Sequence, residues 1–349
     1  MNPEDEIHLN PEQILPLGIF CFLMTLVGLL GNGTVVYSSL RYNTIRLDKV
    51  SLIFIQNLAV ADILYTVCVI LPQFATYAAG GWVLGDAYCM VMAQVGIVPV
   101  SANTLTVLAL TAYRLRVVVD PFTQNSGKLA RIGVAVIWVL ALVPMLVFIG
   151  YRSQSTFRQE NARCLSDIYE NEEARIPVMV LVGLIVILPF FTISVCNVIL
   201  CGVAVKHSQR MAARSTDKTA STNYRALLMV CALSGLFIVS WTPYIVFTFL
   251  KIRSPEVPPA LDLLAFHCIF INSFGNPILY TFTNKRFGAY VLGVLKSACF
   301  WRTGAEGGTG NKVDRVPTAA TNTPSVSRQE SDLIEISTIP SVLGKTYMQ

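Results

Sequence analysis

Charged side chains are scarce in this sequence. Of its 349 residues, 13% are Asp, Glu, Lys or Arg, whereas roughly 25% is usual in soluble domains. Hydrophobic residues account for 54%, and the mean hydropathy is +0.57. This composition excludes a soluble globular domain and indicates an integral membrane protein.

The polar residues are separated by long apolar runs. A membrane-spanning helix needs about 20 mainly apolar residues. We refer to the seven runs of this length as spans one to seven: Leu15–Leu40, Val50–Tyr77, Tyr88–Val119, Ile132–Ile149, Ile176–Val205, Ala226–Leu250 and Ala260–Phe282. The predicted fold is therefore an all-α membrane protein, with a seven-transmembrane helix bundle in residues 15–282.

Histidine is rarer still, with His8, His207 and His267 as its three occurrences. They are too scattered for a metal site or a catalytic dyad, which argues against an intramembrane enzyme and against a required cofactor. Internal repeats and paired intramembrane charges, which are common in transporters, are also missing. These absences count against a membrane transporter or channel, which stays the alternative interpretation.

Lys and Arg are absent from the leader, residues 1–14, which contains four acids. The basic residues cluster in the loops after spans one, three and five, including Arg46, Lys128 and Arg210. Because cytoplasmic loops are enriched in Lys and Arg, the N-terminus is predicted to be extracellular and the C-terminus cytoplasmic, in a multi-pass protein of the plasma membrane. The net charge of +5 suits anionic membrane lipids and an acidic cytosolic partner rather than nucleic acid.

The nine cysteines form an odd set. Six lie inside spans, whereas Cys89, at the outer end of span three, and Cys164, in the loop after span four, are the two expected on the oxidising side of the membrane. These two are therefore predicted to form a disulfide. Cys299 is left over, at the end of an amphipathic pattern that predicts a short eighth helix, residues 283–300. Cys299 is either a palmitoylation site or a free thiol.

Apolar residues become too few to form a core after the eighth helix. Residues 301–349 are therefore predicted to be a disordered cytoplasmic tail. Its hydroxyl groups are either unmodified or are phosphorylated to recruit an arrestin-like partner. These hydroxyls include Thr321, Thr323, Ser325, Ser327 and Ser331.

Span seven contains the sequence Asn276-Pro277-Ile278-Leu279-Tyr280. Inside a bilayer, proline removes a backbone hydrogen bond and asparagine needs a partner that lipid cannot supply. Such residues persist where neighbouring helices satisfy them, which indicates a functional role for this motif.

Further motifs follow one another along the chain: Gly31-Asn32 in span one, Leu58-Ala59-Val60-Ala61-Asp62 in span two, Trp138 in span four, Pro189 in span five, and Phe237, Trp241 and Pro243 in span six. With the motif of span seven, this ordered set resembles the rhodopsin-like (class A) G-protein-coupled receptors over about Gly31 to Cys299. The resemblance implies a receptor that binds an extracellular ligand and activates a heterotrimeric G protein when span six moves outward.

The resemblance also assigns a conformational switch, and this sequence departs from it at three positions. Tyr113 stands where relatives have the acid of Asp-Arg-Tyr, Asn223 replaces an acid of span six, and Asn197 replaces a tyrosine of span five. The remaining switch residues match: Arg114, Phe237, Trp241, Pro243, Asn276, Pro277 and Tyr280.

Both usual carboxylate partners of Arg114 are therefore absent. Two outcomes are expected: elevated signalling without ligand, or a resting state held by a substitute such as a hydrogen bond of Tyr113 or Asn223. The resemblance further implies that Arg114 and Phe122 contact the G protein.

Asp62 is the sole acid deep in any span, and a buried carboxylate must be neutralised or paired. The resemblance implies an allosteric sodium ion held by Asp62, Asn103, Ser273 and Asn276. The alternative is a protonated Asp62 that is hydrogen-bonded without an ion.

Two family ligand signatures are missing. Gly96 occupies the position where amine receptors have an aspartate, and Phe270 occupies the position where opsins have the lysine that carries retinal. The ligand is therefore predicted to be neither a biogenic amine nor retinal. One turn from Gly96, Pro99 predicts a kink in span three.

The expected ligand pocket lies between the outer halves of spans three, five, six and seven. Its predicted wall is mainly apolar and aromatic, with a few hydrogen-bonding groups: Tyr77, Gln94, Ile97, Val100, Trp241, Tyr244, Thr248, Phe266 and Phe270. Aromatic rows on transmembrane helices also serve as packing, which is the alternative interpretation.

Overall fold

The computed structural model describes residues 10–42, 44–45, 47–120, 126–152, 154–166, 172–213, 218–253 and 257–304. Within these ranges, seven helices are long and apolar enough to cross a membrane. The predicted seven-helix bundle is confirmed.

In the described part of the chain, the spans correspond to ten α-helices. Span one is α1 (Pro11–Arg41), span two is α2 (Lys49–Tyr65) and α3 (Leu71–Ala79), and span three is α4 (Gly85–Val95) and α5 (Ile97–Val119). Span four is α6 (Gly127–Gly150), span five is α7 (Glu172–Val182) and α8 (Leu188–Ala213), span six is α9 (Lys218–Arg253), and span seven is α10 (Pro259–Thr283).

Prolines account for irregular turns in spans two and five. A π-helical turn, Thr66–Ile70, joins α2 to α3 just before Pro72, and a second one, Gly183–Ile187, joins α7 to α8 just before Pro189. Proline has no N–H to donate, and its ring crowds the preceding turn. Widening the helix by one residue relieves that crowding, so both helices continue past their proline.

Span three is interrupted at Gly96, between α4 and α5. Pro99 cannot donate a hydrogen bond to the carbonyl of Val95, which weakens the helix at this point. A Cβ atom on Gly96 would lie 2.7 Å from the carbonyl oxygen of Met92 and 2.9 Å from Cγ2 of Val69. Glycine is therefore needed here because spans two and three approach closely.

The bundle interior is held by buried polar contacts as well as apolar packing. Nε1 of Trp138 donates to Oδ1 of Asn57 at 2.8 Å, and Nδ2 of Asn57 donates to Oγ1 of Thr106 at 2.7 Å. These bonds join spans two, three and four. On the other side of the bundle, Nδ2 of Asn32 donates to the carbonyl of Ser273 at 2.9 Å and joins spans one and seven.

A β-hairpin lies in the loop between spans four and five. Its strands β1 (Ser155–Arg158) and β2 (Arg163–Ser166) are antiparallel, and Phe157 pairs with Cys164. Ala162, in the turn between the strands, has a φ of 49°, a left-handed conformation that few side chains adopt. The turn is therefore tightly constrained.

A final helix, α11 (Lys285–Gly304), follows span seven and corresponds to the predicted eighth helix. Chain contacts separate the molecule into a unit Met1–Cys299 and a unit Phe300–Gln349. Of the second unit, the described part is the end of α11. The predicted tail hydroxyls, Thr321 to Ser331, lie outside the described residues.

Candidate functional site

The hairpin covers the outer end of the bundle and is fixed to span three by the predicted disulfide. Cys89 and Cys164 are bonded, with their Cα atoms 5.4 Å apart, so this prediction is confirmed. On span two, Nε2 of Gln73 donates to the carbonyl of Ala162 at 2.7 Å. The constrained turn thus meets two spans at once.

An ion pair that the sequence did not predict fixes the same turn to span seven. Nη2 of Arg163 lies 2.7 Å from Oδ1 and 2.8 Å from Oδ2 of Asp262. Nδ2 of Asn161 also donates to Oδ2 of Asp262. The guanidinium carbon of Arg163 lies 4.1 Å from the ring centre of Phe266, a cation–π geometry. We call Arg163–Asp262 the outer ion pair.

Several residues of the predicted wall lie together beneath this turn. Phe266 and Phe270 pack edge to face with ring centres 5.0 Å apart. The hydroxyl of Tyr77 lies 3.2 Å from Nε2 of His267, whose Nδ1 lies 2.7 Å from the carbonyl of Leu263. Because a carbonyl can only accept, Nδ1 carries the proton and Nε2 accepts from Tyr77.

Trp241 forms the floor of the wall. Its ring lies 5.6 Å from that of Phe237 and 6.1 Å, edge to face, from that of Tyr244. Val100 packs against the same cluster. The indole Nε1 of Trp241 is buried and has no hydrogen-bond partner among the described residues, which marks a place for a polar atom of a ligand or water.

Of the three remaining predicted wall residues, one packs elsewhere, one bonds within its own helix and one is partly buried. Ile97 packs near Phe148 and Val178, on the side of spans four and five. Oγ1 of Thr248 donates to the carbonyl of Tyr244 within its own helix. Gln94 is partly buried in α4.

A small cavity connects the floor of the wall to the predicted sodium site. Its volume is about 10 Å³, enough for one water-sized body. Its lining combines Trp241 and Val100 with the polar cluster around Asp62, and the full set is Asp62, Tyr65, Pro99, Val100, Asn103, Trp241, Ile269, Asn272 and Ser273. The predicted ligand wall and the predicted ion site thus share one space.

Asp62 is completely buried and receives hydrogen bonds from two amides. Nδ2 of Asn103 donates to its Oδ1 at 2.8 Å, and Nδ2 of Asn276 donates to its Oδ2 at 2.7 Å. Asn272 in turn donates to Oδ1 of Asn103 at 2.9 Å, and Ser273 also bonds to Asp62. The lining residues Asp62, Asn103, Asn272 and Ser273 carry a carboxylate, amide and hydroxyl oxygens, the donor types that fit a hard cation such as sodium. Asn276 bonds to Asp62 from beside the cavity.

At the inner end of the bundle, Arg114 is paired with a carboxylate that the sequence reasoning missed. Its Nη2 donates to Oδ2 of Asp48 and to Oγ of Ser51. Asp48 precedes span two and caps it, since the amide of Ser51 donates to Oδ1 at 3.0 Å. We call Arg114–Asp48 the inner ion pair.

Tyr113 contributes to the same site. Its hydroxyl donates to Oδ1 of Asp48 at 2.8 Å. Burial alone would raise the pKa of Asp48, but the Arg114 guanidinium and the hydrogen bonds from Ser51 and Tyr113 outweigh it and hold this pKa below its usual value. Tyr113 thus has a hydrogen bond of the kind expected for a substitute restraint, here to Asp48. The sequence contained one signal for the inner ion pair, because Asp48 is an acid at the position that caps span two.

Asn197 contacts span six rather than Tyr280. Its Oδ1 accepts from Oγ of Ser234 at 2.8 Å and from Sγ of Cys201 at 3.7 Å. Tyr280 is fully buried, and its hydroxyl has no protein partner among the described residues. The ring of Tyr280 packs edge to face against Phe287 of α11 at 6.4 Å.

Three predicted functional groups cannot be placed. Phe122 lies outside the described residues, as do the side chains of Asn223 and Cys299. Pro243 and Pro277 lie within α9 and α10, as their motifs predict.

Comparison with known proteins identifies the family. The sequence pattern of the family described as "7 transmembrane receptor (rhodopsin family)" matches residues 31–280. A scallop protein, "Rhodopsin, GQ-coupled" of Mizuhopecten yessoensis, is 25% identical over 80% of this chain, which spans 61% of that rhodopsin's length. The human C5a anaphylatoxin chemotactic receptor 1 is 29% identical over 80% of this chain and 79% of its own.

Among solved structures, the crystal structure of squid rhodopsin has a TM-score of 0.69, with 19% identity over 85% of this chain and 92% of its own. This likeness shows the fold. The chain belongs to the rhodopsin family of G-protein-coupled receptors, which are membrane receptors and not enzymes. The transporter or channel alternative finds no support in these relatives.

Proposed function

We propose that this receptor binds its ligand beneath the hairpin turn and transmits binding through the shared cavity to the inner face. The observation that carries the proposal is the cavity lined by Trp241 and Val100 on one side and by Asp62 and Asn103 on the other. A ligand that moves Trp241 changes the space beside the buried carboxylate. Two packings of one cavity provide a physical link between ligand binding and the outward movement of span six about Pro243.

The proposed ligand is neither a biogenic amine nor retinal. Gly96 leaves no acid for an amine, and Phe270 cannot form the Schiff base that retinal needs. The aromatic rings around Trp241 and Phe270 favour a ligand with a flat or branched apolar part. The unpartnered Nε1 of Trp241 favours an acceptor atom at its deep end.

The test is a ligand screen read by biosensors for a panel of G proteins in cells. A true ligand should lose at least tenfold in potency in Phe270→Ala and in Val100→Phe. Ile97→Ala is the matched control, because Ile97 is a predicted wall residue that packs away from the cavity. If the potency of a ligand changed equally in all three variants, at equal surface expression, the proposed site would be contradicted.

We also propose an allosteric sodium ion at Asp62, Asn103, Ser273 and Asn276. Bound there, sodium would supply the positive charge that a buried ionised carboxylate lacks. Sodium chloride should then stabilise the purified receptor against thermal unfolding more than choline chloride does at equal ionic strength, since a bound ligand stabilises the folded state. Asp62→Asn should abolish the difference; equal stabilisation by both salts in the wild type would favour the protonated alternative.

The remaining parts of the proposal concern placement and partners. The N-terminus is extracellular and the C-terminus cytoplasmic, in the plasma membrane, as the distribution of Lys and Arg favours. The inner face contacts the G protein through Arg114 and Phe122. The tail recruits an arrestin after phosphorylation, and Cys299 anchors α11 to membrane lipid by palmitoylation.

A further inference from the structure

The inner ion pair connects the N-cap of α2 to span three. Asp48 uses its two oxygens differently: Oδ2 accepts from Arg114, whereas Oδ1 accepts from Tyr113 and from the cap amide of Ser51. The cap fixes Asp48 to the first turn of α2, so its carboxylate cannot follow Arg114 into an opening crevice. Arg114 must leave Asp48 before it can meet a partner from the cytoplasm.

Arg114 is held from several sides in this arrangement. Its Nη2 also donates to Oγ of Ser51, and its guanidinium lies over the ring of Tyr113, 5.5 Å from the ring centre. The Arg114 side chain is 7% exposed, whereas that of Asp48 is 36% exposed. The carboxylate is therefore open to water on one side, which makes the pair separable without leaving a fully buried charge.

From this geometry we infer that Asp48 is the positioning residue that holds Arg114 in the resting state and limits signalling without ligand. It supplies, from the N-cap position before span two, the charge that Tyr113 cannot supply from span three. The inference rests on the proposed G-protein coupling, which it deepens by assigning its regulation. The hydroxyl of Tyr113 orients the acid instead of replacing it.

The charge of Asp48 can be tested separately from its capping role. Asp48→Asn removes the charge but keeps a good N-cap, since Asn and Asp cap helices about equally well. Ligand-free nucleotide exchange on the coupled G protein should rise roughly fivefold in this variant, at equal receptor density. The double variant Asp48→Asn/Tyr113→Asp returns an acid to Arg114 and should bring the rate back to within about twofold of wild type.

Asp86→Asn is the control, because it makes the same charge change at an exposed residue at the opposite end of span three. Its ligand-free exchange should match the wild type. A rate in Asp48→Asn equal to that of the control would overturn the inference, and so would a rise that Tyr113→Asp does not reverse. A merely structural role of Asp48 predicts no rescue by an acid on another helix.

Amide hydrogen exchange of the purified receptor separates this inference from the proposed coupling, because it needs no G protein. Asp48→Asn should speed exchange in the segment 109–118 around Arg114, and the double variant should reverse it. Unchanged exchange in this segment would overturn the inference even if coupling is observed. Silence of every G protein in the panel, with the expected hydrogen exchange, would contradict the proposed coupling alone.

Discussion

The two ends of the bundle each carry an Arg–Asp pair, and the two pairs differ in burial. In the outer ion pair, the side chains of Arg163 and Asp262 are 10% and 3% exposed, and the neighbouring residue is bonded in a disulfide. In the inner ion pair, the side chain of Asp48 is 36% exposed, and neither member adjoins a disulfide-bonded residue in the described part of the chain. The outer pair is therefore suited to permanent structure, whereas the inner pair is suited to separation during activation. The following predictions test this difference.

Breaking the outer ion pair should have the largest effect. Asp262→Leu leaves the charge of Arg163 buried beside Phe266, a situation that costs about 3–5 kcal/mol. Thermal and denaturant unfolding of the purified receptor should show this loss. Asp262→Leu/Arg163→Met, which removes both charges, should recover most of it. A single variant as stable as the wild type would mean that the outer pair is not structurally important.

Removing the disulfide should have the second largest effect on stability. The bond between Cys89 and Cys164 closes a loop of 75 residues in sequence, and its removal in Cys89→Ser/Cys164→Ser should cost about 2–4 kcal/mol. Because the outer ion pair and the Gln73 bond still hold the turn, ligand potency should fall less than in Asp262→Leu. The opposite order in a binding assay would show that the covalent bond, and not the ion pair, sets the position of the hairpin.

A smaller change is expected from Tyr113→Phe at the inner end. It removes the hydrogen bond to Oδ1 of Asp48 but keeps the ion pair with Arg114. A partly exposed hydrogen bond contributes about 0.5 kcal/mol, so ligand-free exchange should rise roughly twofold. The free energy of unfolding should fall by no more than about 0.5 kcal/mol. An increase larger than that of Asp48→Asn would make the hydroxyl, and not the carboxylate, the dominant restraint.

The pH of the cytoplasmic side should have the smallest effect. The pKa of Asp48 is lowered in the folded protein, so its contribution is present above the usual carboxyl value and is lost as pH falls through the lowered one. Ligand-free exchange in open membranes should therefore be flat between roughly pH 6 and 8, far above a carboxyl pKa of about 4. A midpoint within this range that is absent in Asp48→Asn would contradict the ionised pair.

The sequence predicted the parts of this molecule that follow from composition and local pattern. The seven spans, the disulfide of Cys89 and Cys164 and the neighbourhood of Asp62 are all found as expected. Neither ion pair was predicted. Their members lie 66 and 99 residues apart in sequence, and one member of each lies outside the spans, where no hydrophobic period fixes the path of the chain. The pairing of Asn197 with Ser234 was missed for a related reason, because it depends on how two helices rotate against each other.

The π-helical turn Thr66–Ile70 determines which face of span two meets the pocket. Its hydrogen bond from the amide of Leu71 to the carbonyl of Thr66 spans five residues instead of four. An α-helix advances about 100° per residue, so the additional residue rotates everything that follows by about that angle. Gln73 and Tyr77, now 1% and 3% exposed, therefore face inward because of one inserted position. Deleting a single residue from the turn would direct both side chains toward lipid and separate span two from the hairpin and from His267, although no contacting residue would have been changed.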